Sequence, residues 1–290
     1  MLTFANILLV MEVFEGIVAL KAKLELLKKE GKIGFVPTMG ALHDGHCSLV
    51  KHSKESTDIT VVSIFVNPTQ FNDKNDLKNY PRTIDQDKKM LESIQTDILF
   101  YPSESEMYPE STSESWDFGH LDKVMEGAHR PGHFNGVAII VRKLFEIVMP
   151  HKAYFGLKDF QQLTIIKELV RKLEMTIEIV ACPIVRESDG LAMSSRNTLL
   201  KPEERVHAAN ISKVLIWARN SAPVIPVKDL INKVKDLIDS DEFLKVEYFS
   251  VVDDLSLKDV CSWDEPSVKV GCIAVKVGSV RLIDNIVFTV

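Results

Sequence analysis

The order of apolar and polar positions divides the chain into two differently patterned parts. Over the first two thirds, short apolar runs alternate with longer amphipathic ones. Residues 33–37 (IGFVP) read as a short buried strand, and a helical pattern follows from about 45 to 55. The run 58–66, DITVVSIFV, is β-branched and almost uniformly apolar, as expected for a strand covered on both faces. Residues 83–94 predict a charged amphipathic helix, and 97–102, DILFYP, another strand. Val137, Ile140, Val141, Leu144, Phe145 and Val148 then recur at helical spacing, and 153–155 (AYF) is a short strand. Leu163, Ile166, Val170 and Leu173 line one face of a further helix, and 176–180 (TIEIV) closes the series. Such alternation predicts an α/β fold, a doubly wound parallel sheet with helices on both faces.

The pattern changes after about residue 182. A polar loop, VRESDGLAMSSRN (185–197), leads to a helix with Pro202 near its first turn and Glu203 and Glu204 behind it. Pro223 and Pro226 mark a break. One helix over 227–240 and three strand-like runs near 245–252, 268–276 and 279–288 follow. This reads as a smaller α+β unit, with the boundary near 183–186, so the expected domains are 1–184 and 185–290. No internal repeat is visible.

Composition narrows the class. With 290 residues, 46% hydrophobic and 26% charged, the chain can bury a large core. A net charge of −6 argues against a nucleic-acid surface held by bulk electrostatics, while leaving room for a local basic pocket. Cys47, Cys182, Cys261 and Cys272 form no C-x-x-C pair and no zinc spacing, so reduced, mostly buried thiols are expected. The first twenty residues briefly resemble a targeting segment. However, Glu12 and Glu15 interrupt the apolar run, no basic region precedes it and no small-residue cleavage site follows. No uncharged stretch approaches the length of a membrane span. The expectation is a cytoplasmic protein.

The chemistry concentrates where strands give way to helices. In PTMGALHDGHCSLV (37–50), His43 and His46 bracket Gly45 at the start of a helix. A helix start presents unpaired backbone N–H groups and a positive dipole end, which suits phosphate. Gly40 and Gly45 permit a tight turn and close backbone approach. Both imidazoles can donate to phosphate oxygens as charge grows in a transition state. The bland alternative is one capping histidine and one surface histidine. Downstream, Gly156 allows a bend, Lys158 can reach phosphates as a compact charge, and Asp159 and Gln162 have capping-box spacing. Ser194, Ser195 and Arg196 supply two hydroxyls and a guanidinium in the polar loop. Asn67 and Gln70 follow the strand at 58–66, with amides suited to a carboxylate or hydroxyl. Glu126 and Arg130 flank GAHRPGHFNG and read as a lid or a dimer contact, without a decision between them.

HDGH (43–46) resembles the H-x-G-H signature of a nucleotidyltransferase superfamily, and AMSSRN (192–197) resembles that superfamily's second signature. PTMGALHDGH, FVNPTQF, YPRT, RPGHFNGV, FGLKDFQQL and VRESDGLAMSSRN occur together and in order, across roughly 33–200. As a set they resemble the pantothenate synthetase (pantoate–β-alanine ligase) family, and RLIDNI (281–286) also fits. The resemblance implies a Rossmann-like fold and an ATP-dependent condensation of pantoate with β-alanine through a pantoyl-adenylate, with Mg²⁺ accompanying ATP and a homodimer as the assembly. It implies catalytic roles for His43, His46, Lys158, Ser194, Ser195 and Arg196. It assigns Met39, Gly40, Gly45, Gly156, Leu157, Asp159, Val185 and Met193 to ATP as well, with Val185 against the adenine. Gln70, Gln162 and Asn67 fall to pantoate and β-alanine. Leu157 departs from the polar residue expected there. The sequence names no protein ligand for the metal. Alternatives from other classes are a different H-x-G-H nucleotidyltransferase acting on a small acid or phosphorylated acceptor, and a non-catalytic nucleotide-binding protein. A tRNA-ligase fragment is disfavoured by the acidic balance and the lack of an anticodon-binding module.

Overall fold

The computed structural model describes residues 11–110 and 114–289. Residues 1–10 of the leader-like run lie outside that description. Six parallel strands form the larger sheet: β1 (Glu12–Phe14), β2 (Ile33–Thr38), β3 (Ile59–Ile64), β4 (Ile98–Phe100), β5 (Lys152–Gly156) and β6 (Glu178–Cys182), in the order β1-β4-β3-β2-β5-β6. The smaller sheet is antiparallel, with β7 (Leu244–Asp253), β8 (Lys269–Val277) and β9 (Val280–Phe288) in sequence order.

The strand sequences explain the layering. In β2, Phe35 packs into the core under helices Ile17–Leu27 and His133–Val148, while Val36 packs on the opposite face under helix Asp44–Ser56. Val61 and Val62 in β3, and Ile98 and Leu99 in β4, divide in the same way. Successive side chains of a strand point to opposite faces, so a strand between two helical layers must be apolar throughout. In the second unit, Val227, Leu230, Val234 and Ile238 share one face of helix Val227–Asp239 and are almost wholly buried against the β7–β9 sheet. Burial of such side chains contributes about 1.5–3 kcal/mol each, which outweighs the modest helix propensity of valine and isoleucine.

Several elements differ from the sequence expectation. β1 and the short helices Lys74–Asn79, Glu104–Met107 and Met125–His129 were not expected, because segments of three to six residues are too short to show a period. The strand expected at 176–180 begins two residues later, at Glu178. The single helix expected after Pro202 is two, Pro202–Ala208 and Asn210–Ser221.

The strand order positions the site. From β2 the chain winds outward through β3 and β4, then returns to place β5 on the other side of β2. At such a reversal the loops after the two central strands part and leave a crevice at their carboxyl ends. Those loops carry residues 39–46 and 156–159.

Candidate active site

The turn after β2 is strained, and the strain is offset locally. Gly40 and Ala41 both have positive φ, at 81° and 50°. Such consecutive left-handed residues turn their amides inward, and Asp87 accepts from the loop: Ala41 N–H at 3.0 Å and Leu42 N–H at 2.8 Å. Thr83 Oγ1 also donates to Asp87. The loop therefore delivers His43 to the start of helix Asp44–Ser56 in one defined position.

There the two histidines cap the helix reciprocally. Gly45 N–H donates to His43 Nδ1 at 3.2 Å, and His43 N–H donates to His46 Nδ1 at 3.3 Å. The bland reading of one capping histidine is thus surpassed, since both imidazoles cap. A capping nitrogen must be unprotonated, so each neutral ring carries its hydrogen on Nε2. The rings lie 4.1 Å apart. Burial, followed by the nearby Lys158 charge, pushes His43 down to about 4. Burial, His43 and Lys158 hold His46 well below the ordinary histidine value. At neutral pH both are uncharged imidazoles, each with a single Nε2–H to donate.

Three segments converge on one cavity of about 160 Å³. Its lining includes Met39, His43, Gly45 and His46 from the first turn, Gly156, Lys158 and Asp159 from the turn after β5, and Val185, Met193, Ser194, Ser195 and Arg196 from the polar loop. Lys158 Nζ lies 3.4 Å from Asp159 Oδ2. Ser194 Oγ accepts from Arg196 N–H and so caps the turn Ser195–Leu199. Arg196 Nη2 contacts both carboxylate oxygens of Asp76, at 2.9 and 3.3 Å, and its guanidinium lies over the Tyr80 ring. Tyr80 hydroxyl is 3.3 Å from Ser195 Oγ.

A second cavity of about 180 Å³ adjoins the first and shares Met39, His46, Tyr80, Gly156 and Asp159 with it. Asn67, Gln70 and Gln162 line this chamber. Asn67 is 1% exposed, and its amide is saturated. It donates to Gln70 Oε1 and Gly136 O, and accepts from Thr69 Oγ1 and Tyr108 hydroxyl. That pattern makes Asn67 an orienter of Gln70 more than a free hand for a substrate. Gln70 Nε2 donates to Met39 Sδ, and the Gln70 carbonyl accepts from His133 Nδ1 at 2.8 Å. His133 Nε2 in turn accepts from Arg130 Nη1. The Gln162 side chain makes no hydrogen bond among the described residues, which leaves its amide available to the chamber.

Two expected ATP residues stand outside the cavity lining. Leu157 packs against the main hydrophobic core, which accounts for an apolar residue at that position. Gly40 lies beneath the loop, where an added Cβ would meet Ile64 and Asp87 at 3.0 and 3.1 Å. The capping box expected from Asp159 and Gln162 is absent: Asp159 makes no side-chain cap and pairs with Lys158 instead. Glu126 is 6% exposed and serves an internal tie. It accepts from Arg281 Nη1 and Nη2, both at 2.7 Å, and from Tyr248 hydroxyl, with Arg130 at 3.7 Å. Burial opposes ionisation there, yet the Arg281 hydrogen bonds and charge outweigh it and hold the carboxyl below its usual value. Cys47 and Cys182 are buried and their thiols pushed upward, Cys182 to about 11, as packing residues would be. Asp87, Tyr80 and His133 support the site, and Asp76 engages Arg196, without any of the four having been expected there. Tyr80 stands in YPRT and His133 in RPGHFNGV, but no spacing pattern marks a residue that acts through distant contacts. Among the described residues, no group of three or more His, Cys, Asp or Glu is placed to hold a metal, and no helix is long and apolar enough to cross a membrane.

Comparison with known proteins agrees with this geometry. The family model described as pantoate-beta-alanine ligase matches residues 12–287. The pantothenate synthetase of Bacteroides fragilis is 55% identical over 277 residues, covering 95% of this chain and 98% of the relative. That of Bacteroides thetaiotaomicron is 53% identical over the same length and shares. The crystal structure of pantothenate synthetase from Thermus thermophilus superposes with a TM-score of 0.89 at 37% identity, covering 95% of this chain and 99% of that one. Pantoate-beta-alanine ligase from Francisella tularensis, complexed with beta-gamma ATP and beta-alanine, superposes with a TM-score of 0.81 at 36% identity, covering 96% and 97%. With the family model spanning nearly its whole length and relatives this similar, the chain belongs to the pantoate–beta-alanine ligase family.

Proposed function

We propose that this chain joins pantoate to β-alanine at the expense of ATP, in two steps on adjoining chambers. The observation that carries the reading is the meeting of the His43–His46 turn, the Lys158 turn and the 193–196 loop around one cavity that opens onto another lined by Gln70 and Gln162. A carboxylate is a poor acyl donor, because attack on it would expel oxide. In the first step a pantoate carboxylate oxygen attacks the α-phosphorus of ATP, and pyrophosphate leaves. In the second, the β-alanine amine attacks the pantoyl carbonyl, and AMP leaves with the former carboxylate oxygen. One hard step thereby becomes two easier ones.

The Nε2–H groups of His43 and His46 donate to the α-phosphate as charge builds on it. Lys158 accompanies the β- and γ-phosphates, and Ser194, Ser195 and Arg196 bind the departing pyrophosphate. Val185 and Met193 border the nucleoside. Gln70 and Gln162 orient pantoate, with Asn67 setting Gln70. Mg²⁺ fits this donor set, because it binds through substrate phosphates, water and one or two carboxylates, and Asp159 is the carboxylate that lines the nucleotide cavity. When bound, it would neutralise phosphate charge. The division into domains 1–184 and 185–290 is supported by two sheets with separate cores. A homodimer and a cytoplasmic location complete the reading.

The test is isotope exchange. Pantoate without β-alanine is expected to support exchange of labelled pyrophosphate into ATP. An ¹⁸O label in the pantoate carboxylate is expected in AMP once β-alanine is added. Exchange that requires β-alanine, with no label in AMP, would refute the adenylate.

A further inference from the structure

Strand β9 of the smaller sheet reaches the turn that carries Lys158 through a residue that the two-step scheme leaves without a role. Asn285, within RLIDNI, is 4% exposed. Its Nδ2 donates to Leu157 O at 2.8 Å and to Lys158 O at 3.0 Å, across more than a hundred residues of sequence. Both partners are carbonyls, which only accept, so the NH₂ end of the amide must face them and both of its hydrogens are used. These carbonyls belong to consecutive peptides of the turn Leu157–Asp159, which presents Lys158 to the cavity.

Tying both peptides constrains the backbone on either side of the Lys158 Cα, and therefore the direction in which its long, flexible stem sets out. Asn285 is itself fixed. Its N–H donates to Asp284 Oδ1 at 2.7 Å, and Asp284 is gripped by Arg186 Nη1 and Nη2 at 2.6 and 3.0 Å. Arg186 Nη1 also donates to Gly190 O, in the loop that runs on to residues 193–196. Adjacent residues of one strand thus anchor the turn and the loop that face each other across the cavity. Asp284 takes the Arg186 guanidinium and Asn285 takes the turn Leu157–Asp159, so each of these neighbours serves its own segment.

We propose that Asn285 is a positioning residue for Lys158: the smaller sheet sets the direction from which the ammonium meets the β- and γ-phosphates of ATP. The proposal rests on the assignment of Lys158 to those phosphates. A purely structural asparagine would support the fold without distinguishing one nucleotide from another. A positioning residue acts only on ligands that carry the phosphates Lys158 reaches.

The experiment is equilibrium binding of ATP and of AMP to the full chain, with the melting temperature of each variant measured alongside. Lys158→Ala is expected to weaken ATP strongly and to leave AMP within about twofold. Asn285→Ala is expected to weaken ATP about tenfold, the loss when a charge-assisted hydrogen bond is misplaced, with AMP again within about twofold. In the Lys158→Ala background, Asn285→Ala should have no further effect on ATP, because its effect passes through the missing ammonium. Asn285→Ser, which keeps one donor, should fall between wild type and Asn285→Ala, and it carries the test if the alanine variant does not fold. Equal weakening of ATP and AMP by Asn285→Ala or Asn285→Ser, or a full additional loss in the Lys158→Ala background, would overturn the proposal. If Lys158→Ala itself weakened both nucleotides alike, the assignment of Lys158 would fail and the proposal with it. If Lys158→Ala discriminates and the Asn285 variants do not, the proposal alone fails.

Discussion

Gly45→Ala separates the chemistry of the histidine turn from its stability. A Cβ at Gly45 would lie 2.8 Å from both Cε1 and Nδ1 of His43, where ordinary contact begins at 3.4 Å. The ring would have to withdraw by roughly 0.6–1 Å to recover normal packing. The Gly45 N–H···Nδ1 bond is already 3.2 Å long, so withdrawal carries it out of reach. Loss of a helix cap costs about 0.5–2 kcal/mol, and replacing glycine by alanine in a helix recovers up to about 1 kcal/mol. The net change in stability is therefore small, about 1 kcal/mol or less, with a shift in Tm of a few degrees. Under the proposed mechanism catalysis responds differently, because the same movement would swing the His43 Nε2–H away from the place proposed for the α-phosphate. Misplacement of a catalytic group by about 1 Å costs on the order of a hundredfold in rate. The assay is the initial rate of AMP formation at saturating ATP, pantoate and β-alanine, with a thermal melt of the same preparation. Turnover within about threefold of wild type would refute the reasoning, since a displaced ring could not then have mattered.

His46→Ala should lower turnover by about two to three orders of magnitude while ATP binding changes much less, since one transition-state donor is lost and the ground-state contacts remain; near-normal turnover would remove His46 from the mechanism. Stability should depend on acid through His43 and His133, both pushed down to about 4 by burial and then by Lys158 and Arg130 respectively. The unfolded chain binds their protons below about 6.5, while the folded chain refuses them until about 4. Stability therefore falls as pH drops through that window, by up to about 3 kcal/mol for each histidine, and does not change above it on their account. His133→Asn keeps a donor for the Gln70 carbonyl and should flatten the pH dependence of the urea midpoint; an unchanged slope counts against the linkage. Asp76→Ala should tighten ATP binding by about two- to fivefold, because it frees Arg196 from a partly exposed carboxylate partner whose contribution is about 1 kcal/mol or less; weaker binding would mean that Asp76 supports the nucleotide instead of competing with it.

What the amino-acid order determined by itself is local. Phe35 beside Val36, and Val61 beside Val62, announce strands covered on both faces, because adjacent strand residues point to opposite sides and a solvent face would carry polar ones. The Val227, Leu230, Val234 and Ile238 spacing announces a helix with one buried stripe. HDGH, GLKD and MSSRN could be read as phosphate-handling turns because each sits where a period changes, and their membership in one site came from resemblance to a family. Tertiary structure alone decided the rest. Capping-box spacing suited Asp159 and Gln162 as well as it suited His43 and His46, yet of the two pairs only the histidines close the box, and Asp159 pairs with Lys158. Leu157 and Gly40 sit inside site motifs but face the core and the underside of a loop, a distinction that depends on where the neighbouring strands lie. The order β1-β4-β3-β2-β5-β6 opens the crevice beside β2, and no periodicity reports which strands pair. Asp87 beneath the first turn, His133 behind Gln70 and Asn285 behind Lys158 each act across at least 45 residues of sequence. Periodicity records whether a side chain faces in or out, and a contact between distant residues exists only once the sheet has set both in place.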